Sequence, residues 1–247
     1  MEGTAYPGVV SNKEELVGLL QQLAPGYSAE NVTTLMDLYH PRYNITTPFD
    51  TDGLSGATAN DVSGILVGFK QTAFNLLAEL VFVCPSYWLA SAFTSSPPGP
   101  HARAAYHYQY SVPLAGHAED VYAYLGGVKA NQGPELAAAF SNMLGNFVHT
   151  GNPSISHELA NGASAVDPSV KNPASAWPAW TDTNPLQINM NTTGGTAINF
   201  THTWGTGIER VGPGLRNNFT LVNAYTWEGG RGKRCDFLRE LGPRLPQ

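Results

Sequence analysis

Two side chains of this 247-residue chain are placed to do acid–base chemistry: Glu2, in Met1-Glu-Gly-Thr4, and His117, in Pro113-Leu-Ala-Gly-His-Ala-Glu-Asp-Val-Tyr122. A carboxylate can hold an imidazole in one tautomer and stabilise the imidazolium that forms when the ring takes a proton from a hydroxyl. A serine hydroxyl is a weak nucleophile at neutral pH and needs such a base. An acid, a long insertion and a histidine on a loop after an apolar strand have the order of the last two members of a hydrolase triad. The nucleophile itself is missing, because the chain contains no Gly-x-Ser-x-Gly. Ser55, Ser63 and Ser154 sit in glycine-containing stretches, but none follows a predicted strand into a helix, so they read as loop or cap serines.

Blander readings compete for the same residues. Glu2 alone is a terminal residue of the kind that usually has no fixed place, and His117 alone is a solvated loop histidine. His117 with Glu119 and Asp120 could suggest a metal site, yet adjacent loop residues seldom converge on one ion. No metal and no cofactor is therefore expected. His107 reads as an inward strand residue, and Tyr106, Tyr108 and Tyr110 as core.

The elements around these residues can be laid out from their punctuation. Ser11-Asn-Lys-Glu14 predicts a capping box ahead of Leu16, Val17, Leu19, Leu20 and Leu23, with Pro25-Gly26 ending the helix. Ser28 caps a second helix carrying Val32, Leu35, Met36 and Tyr39, stopped by Pro41. Residues 60–94 are again helix-patterned up to the breaker Ser95-Ser-Pro-Pro-Gly-Pro100. Ala102 to Val112 alternates as a strand, and the His117 loop follows it. Gly133-Pro134 opens a helix closed by Gly151-Asn-Pro153. After a loop region holding Trp177-Pro-Ala-Trp180, short strand pieces are predicted at Leu186–Met190 and Ala197–Phe200, and a terminal helix starting at Cys235. Two or three strands are too few for a complete sheet, which points to a partial domain.

Composition narrows the partners. Charged residues are 13%, the net charge is −6, and no basic cluster exceeds Arg231-Gly-Lys-Arg234, so no nucleic-acid partner is expected. No apolar run approaches the roughly 18 residues of a membrane span, so no transmembrane segment is expected. Phe74 to Phe82, interrupted by Asn75 and Glu79, reads as buried helix. The first residues carry no charged segment followed by an apolar one, so no signal peptide is expected here. Cys84 and Cys235 could be two free thiols. Five N-x-S/T sequons, at Asn31, Asn44, Asn191, Asn199 and Asn218, lean toward a secreted, extracellular protein, where a disulfide is permitted.

The landmarks together resemble the type-B carboxylesterase/lipase family, the α/β-hydrolases that include cholinesterases and secreted fungal lipases. Glu2-Gly3-Thr4 is similar to that family's acid motif without its upstream half, and Phe82-Val-Cys-Pro-Ser-Tyr87 to its cysteine segment before the penultimate strand. Tyr106 to Tyr124 resembles the strand and catalytic-histidine loop. Phe140 to Pro153 with Trp177-Pro-Ala-Trp180 resembles the long helix, turn and Trp-Pro block, and Arg234-Cys-Asp-Phe-Leu238 the C-terminal cysteine. The resemblance spans essentially the whole chain.

It implies an α/β fold, the C-terminal part of a single α/β-hydrolase domain. Residues 10–95 would be a mainly helical insertion, and 100–247 the last core strands, His loop and terminal helices. It implies His117 as general base and acid, Glu2 as its orienting partner, and a Cys84–Cys235 disulfide. The intact enzyme would cleave a small-molecule or lipid ester, while this chain, lacking the serine, would be inactive alone. The alternatives are a non-catalytic esterase-like binding or adhesion protein and a truncated product without function, whose half-sheet would leave apolar faces and an edge uncovered.

Overall fold

A computed structural model describes residues 10–43, 53–63, 66–94, 104–202 and 205–242. Glu2 and Asn44 lie outside these residues. Two amphipathic helices come first, α1 (Lys13–Leu23) and α2 (Ala29–Tyr39). The predicted cap of α1 is displaced by one residue. Asn12, not Ser11, is the N-cap and accepts from the Glu15 backbone N–H, while the Glu15 carboxylate accepts from Ser11 N–H. The shift brings Leu16 and Leu20 to the buried side. Ser28 caps α2 as expected, with Asn31 completing a reciprocal box.

After the short α3 (Ala59–Val62), one helical run extends from Gly68 to Thr94. It comprises α4 (Gly68–Ala78), a wide π-type turn over Glu79–Val83, and α5 (Cys84–Thr94). Pro85 has no N–H to give the carbonyl one turn back, and the wide turn directly before it takes up that misfit. By length and composition this run is apolar enough to cross a membrane, against the sequence expectation. Interior contacts also claim it, through Phe74, Leu76, Leu77, Cys84 and Tyr87.

The sheet has three strands in the order β1-β2-β3: β1 (Tyr108–Tyr110), β2 (Leu186–His202) and β3 (Gly205–Asn223). β1 runs parallel to β2, with Tyr108 beside Ile188 and Tyr110 beside Met190, and β2 is antiparallel to β3. Helices with a mixed sheet place the chain in the α/β class. Three sequence expectations need correction. Among the described residues of the strand expected over Ala102–Val112, pairing with β2 covers 108–110, because only 188–190 of β2 run alongside. The two predicted pieces at 186–190 and 197–200 are one strand, and β3 is long and was not foreseen, its glycine-rich polar run masking the alternation.

Between these strands lie α6 (Glu119–Tyr124), α7 (Gly133–Thr150) and α8 (His157–Asn161). α7 follows its sequence signals, with Pro134 in the first turn and Gly151 taking the left-handed φ of +77° just past its end. The last helix, α9 (Trp227–Leu241), starts eight residues before the predicted Cys235 and passes through left-handed φ at Glu228, Gly229 and Gly230.

Two cores result. One joins α1, α2, the 68–94 run and α9 around Leu16, Leu35 and Leu238. The other packs the sheet against α7 through Ile188, Met190, Phe140 and Met143. The tyrosine stripe divides as expected, Tyr108 meeting Phe140 of α7 edge-on and His107 facing Tyr87 of α5 on the other side. Trp177 and Trp180 are buried packing residues.

Candidate active site

The loop from Ser111 to Ala118 leaves the carboxyl end of β1, where open α/β sheets place their ligands. Its base is pinned by hydrogen bonds. Ser111 Oγ donates to Asn189 Oδ1 (2.6 Å), Asn189 Nδ2 donates to the Gly53 carbonyl (2.7 Å), and Asn131 Nδ2 to the Pro113 carbonyl (3.1 Å). Gln132 Nε2 donates both to Tyr110 Oη and to the Glu119 carbonyl. Within the loop, Ala115 and Ala118 hold φ of +48° and +59°, left-handed values that cost an alanine energy and cluster at functional segments. His117 stands between them, exposed, its ring 5.1 Å from that of Phe82.

Beside this loop opens a cavity of about 1050 Å³, walled by β1 on one side and the 68–94 run on the other. Phe74, Phe82, Leu89, Phe93 and Phe147 give it apolar walls, and Leu114 and Gly116 of the His117 loop form part of its rim. Pockets of this size and character suit small organic molecules.

Its polar end was not foreseen. Glu79, Glu228, Gln109 and Arg231 meet there. Glu79 is almost fully buried and accepts from Arg231 Nε (3.1 Å), Arg234 Nε (2.8 Å), Arg234 Nη2 (2.7 Å) and Tyr39 Oη (2.7 Å). Burial would raise its carboxyl, but hydrogen bonds and charge from Arg234, then Arg231 and Tyr39, outweigh it and hold it below the ordinary range. A glutamate stranded in the apolar stretch 74–82 was the available signal. Its arginine partners, more than 150 residues away, were not visible.

The other sequence-selected residues fall where bland chemistry puts them. Ser63 Oγ accepts from Leu66 N–H and Ser55 Oγ from Ala57 N–H, as turn serines do, while Ser154 Oγ accepts from Trp177 N–H and ties two loops together. Asp120 accepts from Tyr108 Oη (2.7 Å), and Glu119 pairs with Lys129. Among the described residues no cluster of ligating side chains is fit to hold a metal ion. Cys84 and Cys235 form a disulfide, S–S 1.99 Å. Glu2, the expected orienting partner of His117, lies outside the described residues.

His107 is the inward strand residue that its position suggested. Its Nε2 lies 2.9 Å from Ser86 Oγ, but that hydroxyl donates to the Val83 carbonyl (2.7 Å), so the ring donates to the serine rather than accepting from it. Burial, then the Arg231 charge, pushes the imidazole down to about 4, with the Gln187 amide acting against them. The folded pKa thus lies below the ordinary 6.5, and the unfolded chain takes up the proton first. Stability contributed by neutral His107 is intact above pH about 6.5 and drains as pH falls toward 4, by about 3 kcal/mol. Denaturant midpoints from pH 7 to 4.5 should show that loss in the native chain and a flatter profile in His107→Gln. Equal slopes would remove His107 from the account.

The sequons divide by accessibility. Asn191 is fully buried in β2 and is corrected as an acceptor, because no glycan fits there in the folded chain. Asn199 is exposed on β2, and Asn31 and Asn218 are partly exposed. Glycopeptide mapping of secreted material is expected to find Asn199 occupied and Asn191 empty.

No protein-family model matches this chain, and no curated protein matches it either.

Proposed function

We propose that this chain is the histidine-bearing part of a secreted serine carboxylic ester hydrolase, with the fold of the C-terminal part of an α/β-hydrolase domain. The observation that carries the reading is His117. It follows the carboxyl end of β1, between two alanines of left-handed φ, directly after the cavity-lining Leu114, Ala115 and Gly116 and with its ring beside that of Phe82, which also lines the cavity. In the proposed reaction His117 takes the proton of a serine hydroxyl as it attacks the ester carbonyl, then gives it to the leaving alcohol. The same ring activates water to release the acid. Glu2 orients the ring and stabilises its charged form. The serine is not in this chain and is supplied by residues outside it. Exposed Phe82, Leu89, Phe93 and Phe147 around the cavity support this, as they form a face suited to being covered. The disulfide and the exposed sequon fit an oxidising, extracellular setting.

The test has two arms. Assayed alone with a short-chain nitrophenyl ester, the chain is expected to give no turnover sensitive to serine-directed inhibitors. Fused behind a strand–Gly-x-Ser-x-Gly–helix half-domain of a carboxylesterase, it is expected to support hydrolysis that His117→Ala lowers in kcat by about 10⁴-fold or more. Turnover by the chain alone, or a fused enzyme indifferent to His117, would sink the reading.

A further inference from the structure

We infer that the β2–β3 ribbon is an arm that positions His117, acting through Phe200. The inference rests on the reading of His117 as the catalytic base. Only residues 188–190 of β2 lie against β1. The pairing of β2 with β3 runs on from Thr192↔Asn217 to His202↔Gly205 as two strands. A two-stranded ribbon is marginal in water unless it packs on something.

The ribbon changes direction partway along. The register slips between Gly194 and Thr196, and Gly194, Gly195 and Gly214 all hold left-handed φ (+75°, +67° and +89°). A Cβ on Gly194 would collide with the carbonyl oxygen of Gly214 across the ribbon. A bulge of this kind bends the strand that carries it. Beyond the bend, Phe200 packs against the small cluster of Leu66 and Phe74, the same cluster against which Leu114 packs.

Leu114 is three residues ahead of His117 and, like Phe74, belongs to the cavity wall. On the facing strand, Glu209 comes close enough to the far side of the same loop for Glu119 and Lys129 to act on it. Burial and then the Glu119 charge raise its carboxyl, with Lys129 opposing. Closer to the sheet, Thr192 Oγ1 donates to the Asn131 carbonyl, and Asn131 in turn holds Pro113. The ribbon therefore bears on the chain on both sides of His117, through the Leu66–Phe74 cluster it shares with Leu114 and through Glu209 near Glu119. A loop that keeps two alanines at left-handed φ needs surroundings that over-determine it, and the arm supplies part of them. Phe200 acts through the cluster it shares with Leu114 and not on the reacting atoms, so it is a positioning residue.

The test reads position and does not depend on turnover. The Phe82 ring beside His117 shifts the imidazole C–H resonances, which makes them a marker of the loop. In Phe200→Ala these resonances are expected to move toward their unstructured positions, and the amides of residues 112–118 to exchange about tenfold faster. His157 on α8, whose Nδ1 accepts from Asn172 N–H, is expected to hold its resonances. Phe200→Leu is expected to restore most of the native pattern. A second variant replaces residues 197–210 by an Asn-Gly turn closing Thr196 onto Val211, and is expected to displace His117 likewise. His117 resonances and loop exchange left unchanged in both variants would overturn the proposal. Ester turnover that ignores His117 would undo the proposed function and leave this result standing.

Discussion

Glu79→Ala is expected to destabilise the chain by about 3–5 kcal/mol, the cost typical of removing one partner from a buried ion pair. Glu79 is the common acceptor of Arg231, Arg234 and Tyr39, and its loss leaves two guanidinium groups inside the protein with their carboxylate gone. Arg234 would still donate to the Glu228 and Gly229 carbonyls, and Arg231 to Gln109 with the Glu228 carboxylate 3.9 Å away, which keeps the penalty from growing further. Glu79→Gln keeps the size and one acceptor while dropping the charge, and should fall between wild type and alanine. Denaturant midpoints at neutral pH measure both. A cost below about 1 kcal/mol for the alanine variant would show that the network is a spectator. The pH dependence has a definite sign: the folded carboxyl is depressed, so its contribution is present above the ordinary value of 4.5 and is lost as pH falls through the folded one.

Removing the Cys84–Cys235 bridge with a double serine replacement is expected to cost about 2–5 kcal/mol, toward the upper end because it closes a long loop. The two ties are neighbours. Cys84 follows Glu79 in the same helical run, and Cys235 directly follows Arg234 in α9. Energies of changes so close seldom add. The triple variant lacking the bridge and Glu79 is therefore expected to lose measurably more or less than the sum of its parents. Strict additivity within about 0.3 kcal/mol would mean that bridge and ion cluster hold α9 independently.

The sequence made some of this legible and hid the rest for physical reasons. α2 and α7 announce themselves because their boundary signals are local: Ser28 with Asn31, and Pro134 with Gly151. The tyrosine stripe divided correctly because alternation decides which side of a strand each residue takes. β3 stayed hidden, since a ribbon of Asn, Thr and Gly with little burial carries no apolar period. The left-handed alanines that flank His117 have no signature at all, because alanine is not a residue that asks for such a conformation. The Glu79 cluster was half visible: a charge inside an apolar helix demands a partner, but nothing local names it.

Consider finally the order in which a ribosome delivers these residues. Glu79 emerges 152 residues before Arg231 and 155 before Arg234. At about 5–20 residues per second, that is an interval of roughly 8–30 s. Throughout it the 68–94 helix carries a carboxylate whose arginine partners, and a thiol whose cysteine partner, have not been made. The helix cannot settle into its final burial while that carboxylate still needs water, so the first half of the protein is obliged to wait for α9. Synthesis rate and chaperone occupancy during those seconds thus become part of how this fold is reached, and a late stall in translation should be more harmful than an early one.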